Sequence, residues 1–206
     1  GIIEVIADMY LAGIINQDGV IDGRLAERSD RIVADGRTFS YVLHRGDVPM
    51  QITQNDVRAI QLAKAALHAG IRLLMDQLGV ERVDRIGLAG AFGSHIDPKY
   101  AMVLGMIPDC ALDRVASVGN AAGAGARIAL LDATARTAIE DLVRRVEKIE
   151  TAIEPRFQGH FIEAMAIPHK TAAYPELRKV VTLPEAKESA AQGATRGRRG
   201  RRITNP

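Results

Sequence analysis

An α/β fold with parallel strands is what this 206-residue sequence predicts, and three observations predict it. The pattern of apolar strand, small-residue turn and helix occurs twice, at DRIGLAG and again at RVASVG, and such repeats build parallel strands joined by crossovers. One long helical stretch precedes the pair. Hydrophobic residues make up 47% of the chain but aromatic residues only 4%, with no Trp. The core must therefore be Ala, Val, Ile and Leu packed between helices and strands, which argues against a β-sandwich.

The elements follow in order. Residues 2–12 place Ile2, Ile3, Ile6, Met9 and Tyr10 at helical spacing, and Gly13 is a plausible stop. The segment NQDGVIDG is turn-rich, and RIVADG with TFSYVLH reads as a hairpin around Asp35-Gly36. Thr53 or Asn55 is a good N-cap for the longest helix, residues 54–78, about 37 Å long. Its apolar stripe is Val57, Ile60, Leu67, Ile71, Leu74 and Leu78, and beside it run Gln61, Lys64, His68 and Arg72. That polar strip has two readings, a solvated face or one wall of a ligand site.

Asp84–Gly90 is a buried-type strand, followed by the turn AFGSHIDP and a helix around residues 99–104; Arg114–Gly119 is a second strand running into the small-residue helix NAAGAGARIALLD. In parallel sheets ligands collect at the carboxyl ends of the strands. Residues 133–150 read as another exposed helix, and FQGHFIEAMAIPH as a short helix ended by Pro168. Beyond Ala186 large apolar residues almost vanish, and disorder is expected.

Charge and cysteine content narrow the classes. The formal charge of +2 includes Arg196, Arg198, Arg199, Arg201 and Arg202, and without these five residues 1–195 carry −3. Polyanion binding would belong to the tail alone. Cys110 is the single cysteine, which rules out an internal disulfide or a cysteine-held cluster within this chain and suits a reducing, cytoplasmic setting. No apolar run reaches 18 residues and no signal-peptide pattern opens the chain, so no membrane association is expected. A first residue Gly1 in place of Met leads us to expect the end of a longer polypeptide.

Two glycine segments carry the candidate chemistry. In Leu88-Ala89-Gly90-Ala91-Phe92-Gly93, the glycines allow positive φ or close approach of main chain to a ligand. Gly119-Asn120-Ala121-Ala122-Gly123-Ala124-Gly125 offers the same smallness, with Asn120 as a cap. For both, close helix packing is the competing explanation. Asp56 reads as helix-start electrostatics and Asp97 as a helix cap. The five histidines form no metal-ligand pattern, and no metal site is expected.

Taken together, ITQNDVRAIQLAKAALHAGI, IGLAGAFGSHID, MIPD and VGNAAGAGA resemble the C-terminal ATPase domain of reductive activators of corrinoid-dependent methyl-transfer proteins, within the actin, sugar-kinase and heat-shock ATPase superfamily. The resemblance implies an actin-like (ribonuclease H-like) second lobe, with a mixed sheet and flanking helices, incomplete at its N-terminus. Residues 1–170 would form the lobe, with residues 14–78 inserted as a subdomain and residues 171–206 as an extended, largely disordered tail. It implies that Gly90, Ala91, Phe92 and Gly93 form an adenosine loop and that Gly119 and Asn120 begin the helix closing the nucleotide cleft. Gln61, Lys64 and His68 would line the adenine pocket, with Gln61 standing where heat-shock ATPases have an acid. Gly1 would approach phosphate oxygens.

The resemblance further implies ATP or ADP with Mg²⁺ as ligand and a [2Fe–2S] cluster in a domain outside this chain. The parent protein would restore cob(II)alamin to cob(I)alamin in a partner corrinoid protein, and the resemblance implies a homodimer. It leaves the catalytic residues unassigned, because the first-lobe phosphate loop and metal-holding acids are not in this chain. Two alternatives stay open, a small-molecule kinase of the same superfamily and a non-catalytic module whose Arg-rich tail binds RNA or acidic partners.

Overall fold

The structure, a computed structural model, describes residues 1–151 and 153–185, and every statement below concerns those. Helix α1 (Ile2–Leu11) buries Ile3, Ile6, Ala7, Met9 and Tyr10 on one face, as the spacing of its apolar residues requires. A turn closed by the bridge between Ile15 and Ile21 leads through a 3₁₀ segment, Gly23–Glu27. Strands β1 (Ile32–Asp35) and β2 (Thr38–His44) form the expected antiparallel hairpin, paired from Ile32↔Tyr41 to Asp35↔Thr38. Gly36 takes φ 59° in its turn, a conformation that favours glycine. A third strand, β3 (Met50–Ile52), pairs antiparallel with β2. Three residues are too short a run to show alternation in the sequence.

Helix α2 (Gln54–Gln77) starts at a capping box. Asp56 N donates to Thr53 Oγ1 at 3.1 Å, while Thr53 N donates to Asp56 Oδ2 at 2.8 Å. Two of the four orphan amides of the helix start are thereby satisfied. Strand β4 (Ile86–Ala89) follows, then a short helix α3 (Gly90–His95) within the segment read as a turn, then α4 (Pro98–Leu104), capped by Asp97 as expected. Strand β5 (Val115–Gly119) pairs parallel with β4 and runs into α5 (Ala121–Leu131) and α6 (Ala133–Val143). Helix α7 (Pro155–Ala164) lies along α2, and a four-residue helix, α8 (Pro175–Arg178), ends the described elements.

The core forms where α1 packs on α4, around Ile6, Met102, Val103, Leu104 and Leu177. The packing continues past residue 170. Tyr174, Leu177 and Leu183 are buried in this core, and the Asp109 carboxylate accepts from Glu176 N at 2.8 Å and Leu177 N at 3.0 Å. Two amides at the start of α8 are held by that single side chain, so the chain stays packed after the point where a tail was expected. Residues 186–206, with all five tail arginines, lie outside the described residues. No described helix is long and apolar enough to cross a membrane.

Thr53→Ala removes an N-cap whose loss typically costs about 1 kcal/mol. Chemical denaturation should show a lower midpoint with an unchanged m-value; an unchanged midpoint would mean the capping box contributes nothing.

Candidate functional site

The two glycine segments meet at the same end of the parallel pair. In register, Ile86 faces Val115 and Ala89 faces Gly119, so Gly90 and Asn120 follow directly from neighbouring strand ends. Both strands leave through glycines with positive φ, 86° at Gly90 and 69° at Gly119. A Cβ at either would meet nothing within 4 Å. Glycine is therefore required by backbone conformation, and the space beside both turns is open.

Gly93 differs, because a Cβ there would lie 2.7 Å from the Leu88 carbonyl carbon. Its smallness lets α3 lie against β4, which is the packing explanation. Asn120 Oδ1 accepts from Gly123 N at 2.8 Å and caps α5, so the positive end of the α5 dipole lies at the shelf formed by the two turns. Ala91, Ala121 and Ala122 are exposed around it.

Two serines that the sequence reading passed over tie the turns together. Gly119 N donates to Ser117 Oγ at 3.3 Å, Ser117 Oγ approaches Ser94 Oγ at 3.4 Å, and Ser94 Oγ donates to Gly90 O at 2.9 Å. The chain of hydroxyls runs from one positive-φ glycine to the other. Ser94 sits four residues after Gly90 in a helix, the spacing at which a serine hydroxyl bonds back to a main-chain carbonyl, and that spacing was the available signal.

The polar strip of α2 has a different place. Gln61, Lys64 and His68 are 2%, 1% and 2% exposed, which removes the solvated-face reading. Gln61 Nε2 donates to Asp18 O at 3.0 Å and Met165 O at 2.9 Å. Lys64 Nζ donates to Ala166 O and, at 2.8 Å, to Pro168 O. His68 Nδ1 lies 3.1 Å from Gly105 O; a carbonyl only accepts, so Nδ1 carries the proton. The three side chains hold the strap of residues 165–168, the 18–19 turn and the end of α4 against one helix. Gln54 and Gln17 extend the network, Gln54 Nε2 donating to Gly19 O at 2.7 Å and Gln17 Nε2 to His169 O at 3.0 Å.

Burial sets the protonation of this cluster. Burial pushes the Lys64 amine down to about 7, and a neutral amine still supplies two N–H groups for two carbonyls. Burial, with His169 and Lys64 alongside, pushes His68 down to about 3 against the opposing Gly105 hydrogen bond. The His169 ring stands 4.9 Å from that of His68. Its Nδ1 accepts from Thr171 N at 3.2 Å and Ala172 N at 3.0 Å, so it too is held neutral, its value lowered by burial and by Lys64. Gly1, the remaining residue singled out in the sequence, caps α1 and pairs its amino group with Glu4. Among the described residues no group of three or more His, Cys, Asp or Glu is placed to hold a metal ion.

Comparison with known proteins agrees across sequence and structure. A family model described as the C-terminal domain of RACo, the ASKHA domain, matches residues 1–178. The corrinoid activation enzyme RamQ of Eubacterium limosum is 32% identical over 169 residues, covering 76% of this chain and 28% of that protein. A solved structure of a reductive activator for corrinoid, iron-sulfur protein superposes with a TM-score of 0.72 at 31% identity, covering 82% of this chain and 28% of that one. The chain thus spans little more than a quarter of the length of these two relatives.

The sign of the pH dependence follows from the buried amine. The folded value of about 7 lies below the ordinary 10.5, so the unfolded chain binds the extra proton between those limits and stability rises with pH across that window. Lys64→Met should flatten the rise by up to about 1 kcal/mol per pH unit near its middle, read as the difference between wild-type and variant unfolding free energies at pH 7, 8 and 9. Parallel curves would show that the amine stays charged in the fold. His68, lowered from 6.5 to about 3, contributes stability that is lost as pH falls through that lower window, and His68→Gln should remove this acid limb.

Proposed function

Because the chain belongs to the family of the C-terminal ASKHA domain of RACo, we propose that it is the nucleotide-holding part of an ATP-dependent reductive activator, which returns cob(II)alamin to cob(I)alamin in a corrinoid protein. One observation carries the nucleotide half of this reading: the two positive-φ glycine turns stand side by side at the carboxyl ends of paired parallel strands. Such strand ends are where open α/β sheets receive ligands.

The residues present fit an adenine nucleotide. Open space beside Gly90 and Gly119 admits a flat ring or ribose close to main chain, and the capped start of α5 favours negative charge. Bound ATP would supply the binding and hydrolysis energy that favours a closed arrangement. Gly90, Ala91, Phe92 and Gly93 would form the loop beside the adenosine, with Gly119 and Asn120 facing it from β5 and α5. The hydroxyls of Ser94 and Ser117 hold the two turns at fixed separation, so binding at one turn constrains the other. Coupling to the corrinoid partner then equals the nucleotide's difference in affinity between open and closed forms.

Gln61, Lys64 and His68 serve this reading from a distance. Their polar hydrogens are committed to main-chain carbonyls, so they position the strap against which the domain is built. The electron source, a [2Fe–2S] cluster, and the acids that hold Mg²⁺ would belong to other parts of the parent polypeptide, and the setting would be cytoplasmic.

Titration of ADP into the ¹⁵N-labelled chain tests the shelf. Amide shifts should concentrate at Gly90, Ala91, Gly119, Asn120 and Ala121, and Ala91→Glu, an exposed substitution that adds charge beside the nucleotide, should weaken the response about tenfold without lowering the melting temperature. Shifts gathered elsewhere, or a response indifferent to Ala91→Glu, would remove the assignment.

A further inference from the structure

The hydroxyl chain between the two turns has a direction, and its ends fix it. Gly119 N can only donate and Gly90 O can only accept, so each serine proton points from the β5 turn towards the β4 turn: Ser117 towards Ser94, and Ser94 into Gly90 O. The two links through Ser117 are long, at 3.3 and 3.4 Å, whereas the bond from Ser94 to Gly90 O has an ordinary length of 2.9 Å. Ser94 therefore has no proton left to give. Its side chain is exposed, and its oxygen keeps lone-pair capacity, so it meets solvent or a ligand as an acceptor.

Packing holds that acceptor in place. Ser94 follows Gly93, which is buried, and a Cβ on Gly93 would lie 2.7 Å from the Leu88 carbonyl carbon. Helix α3 thus rests directly on the end of β4, and it also packs against β5. The other edge of the shelf has the opposite polarity. Asn120 has spent its side-chain oxygen on Gly123 N, so its amide N–H groups are what it can offer, at the positive end of α5. Ionised phosphate oxygens, which only accept, suit the Asn120 edge. A nucleoside N–H or O–H suits Ser94.

We infer that Ser94 is a specificity-determining residue of the shelf, its Oγ accepting a hydrogen bond from a donor on the nucleoside, the base amine or a ribose hydroxyl. The inference rests on the nucleotide reading above and adds to it a residue that selects among nucleotides. A ligand that brings an acceptor, or nothing, to that place leaves the serine oxygen unmatched, which is how a polar site rejects a close analogue. One hydrogen bond on an exposed shelf gives a preference of about three- to tenfold.

Titration of the present chain with ADP, IDP, 2′-deoxy-ADP and 3′-deoxy-ADP, read at the Gly90 and Gly119 amides, tests this. IDP carries a carbonyl in place of the base amine, and each deoxy analogue lacks one ribose hydroxyl. One analogue should bind about three- to tenfold more weakly than ADP, and its identity names the donor. Ser94→Ala should weaken ADP by the same factor, erase the difference between ADP and that analogue, and leave the melting temperature within a few degrees. Ser94→Thr, which keeps the hydroxyl, should retain the preference. Equal binding of all four nucleotides by the wild-type chain overturns the inference, and so does a Ser94→Ala loss that is the same for all four, since the hydroxyl then only shapes the loop. Either result leaves the nucleotide shelf standing, whereas ADP that shifts neither amide removes the shelf and the role of Ser94 together.

Discussion

Lys64, 1% exposed with its amine between two main-chain carbonyls, is the constraint around which this molecule is arranged. A buried polar atom without a partner costs on the order of 1–3 kcal/mol, and the carbonyls of Ala166 and Pro168 are as demanding as the amine. Each satisfies the other. The same logic joins Gln61 to Asp18 and Met165, and His68 to Gly105. The orientation of Gln61 follows from its two carbonyl partners, because only the amide nitrogen can donate to them, and this leaves Oε1 as a buried acceptor without a protein donor. Space at this junction is equally tight: a Cβ on Gly105 would fall 1.9 Å from the Pro168 oxygen.

From this junction the rest of the fold is positioned. The strap of residues 165–168 is fixed on α2, α7 is held beside it, and Asp76 of α2, paired along its own helix with Arg72 at 2.9 Å, meets His160 Nε2 of α7 at 2.9 Å, a second, partly exposed fastening between the two helices. Hydrogen bonds to charged partners of that kind are stronger than neutral ones but are weakened where solvent reaches them. Helix α4, whose end is bonded to His68 through Gly105, carries the α1 contact and the core. The shelf proposed for a nucleotide lies away from this junction, on turns with few buried neighbours.

Much of the architecture was legible in the residues. Thr53, one of two candidate caps beside Asn55, announced the start of α2, Asp97 before Pro98 announced α4, and the hairpin turned where Asp35-Gly36 said it would. The proximity of Gly90 and Asn120 was legible too, since two strands with small-residue exits were expected to run parallel. The serine bridge was less so, because Ser94 and Ser117, 23 residues apart in the chain, meet only once β4 and β5 are paired. The packing of the segment that buries Tyr174, Leu177 and Leu183 involves a distant carboxylate, Asp109, that no local pattern connects to it.

The sequence by itself determined the longer elements, their order and the parallel pairing, because helix caps, glycine turns and apolar periodicity act over a few residues and need no distant partner. Tertiary structure alone decided which side of α2 faces inward. Periodicity shows that the helix has an apolar side and a polar side, yet it cannot tell whether the polar side meets water or main-chain carbonyls from a strap about a hundred residues away. The energy of burial depends on the partner found, and the partner of Lys64 is separated from it by 102 residues of chain.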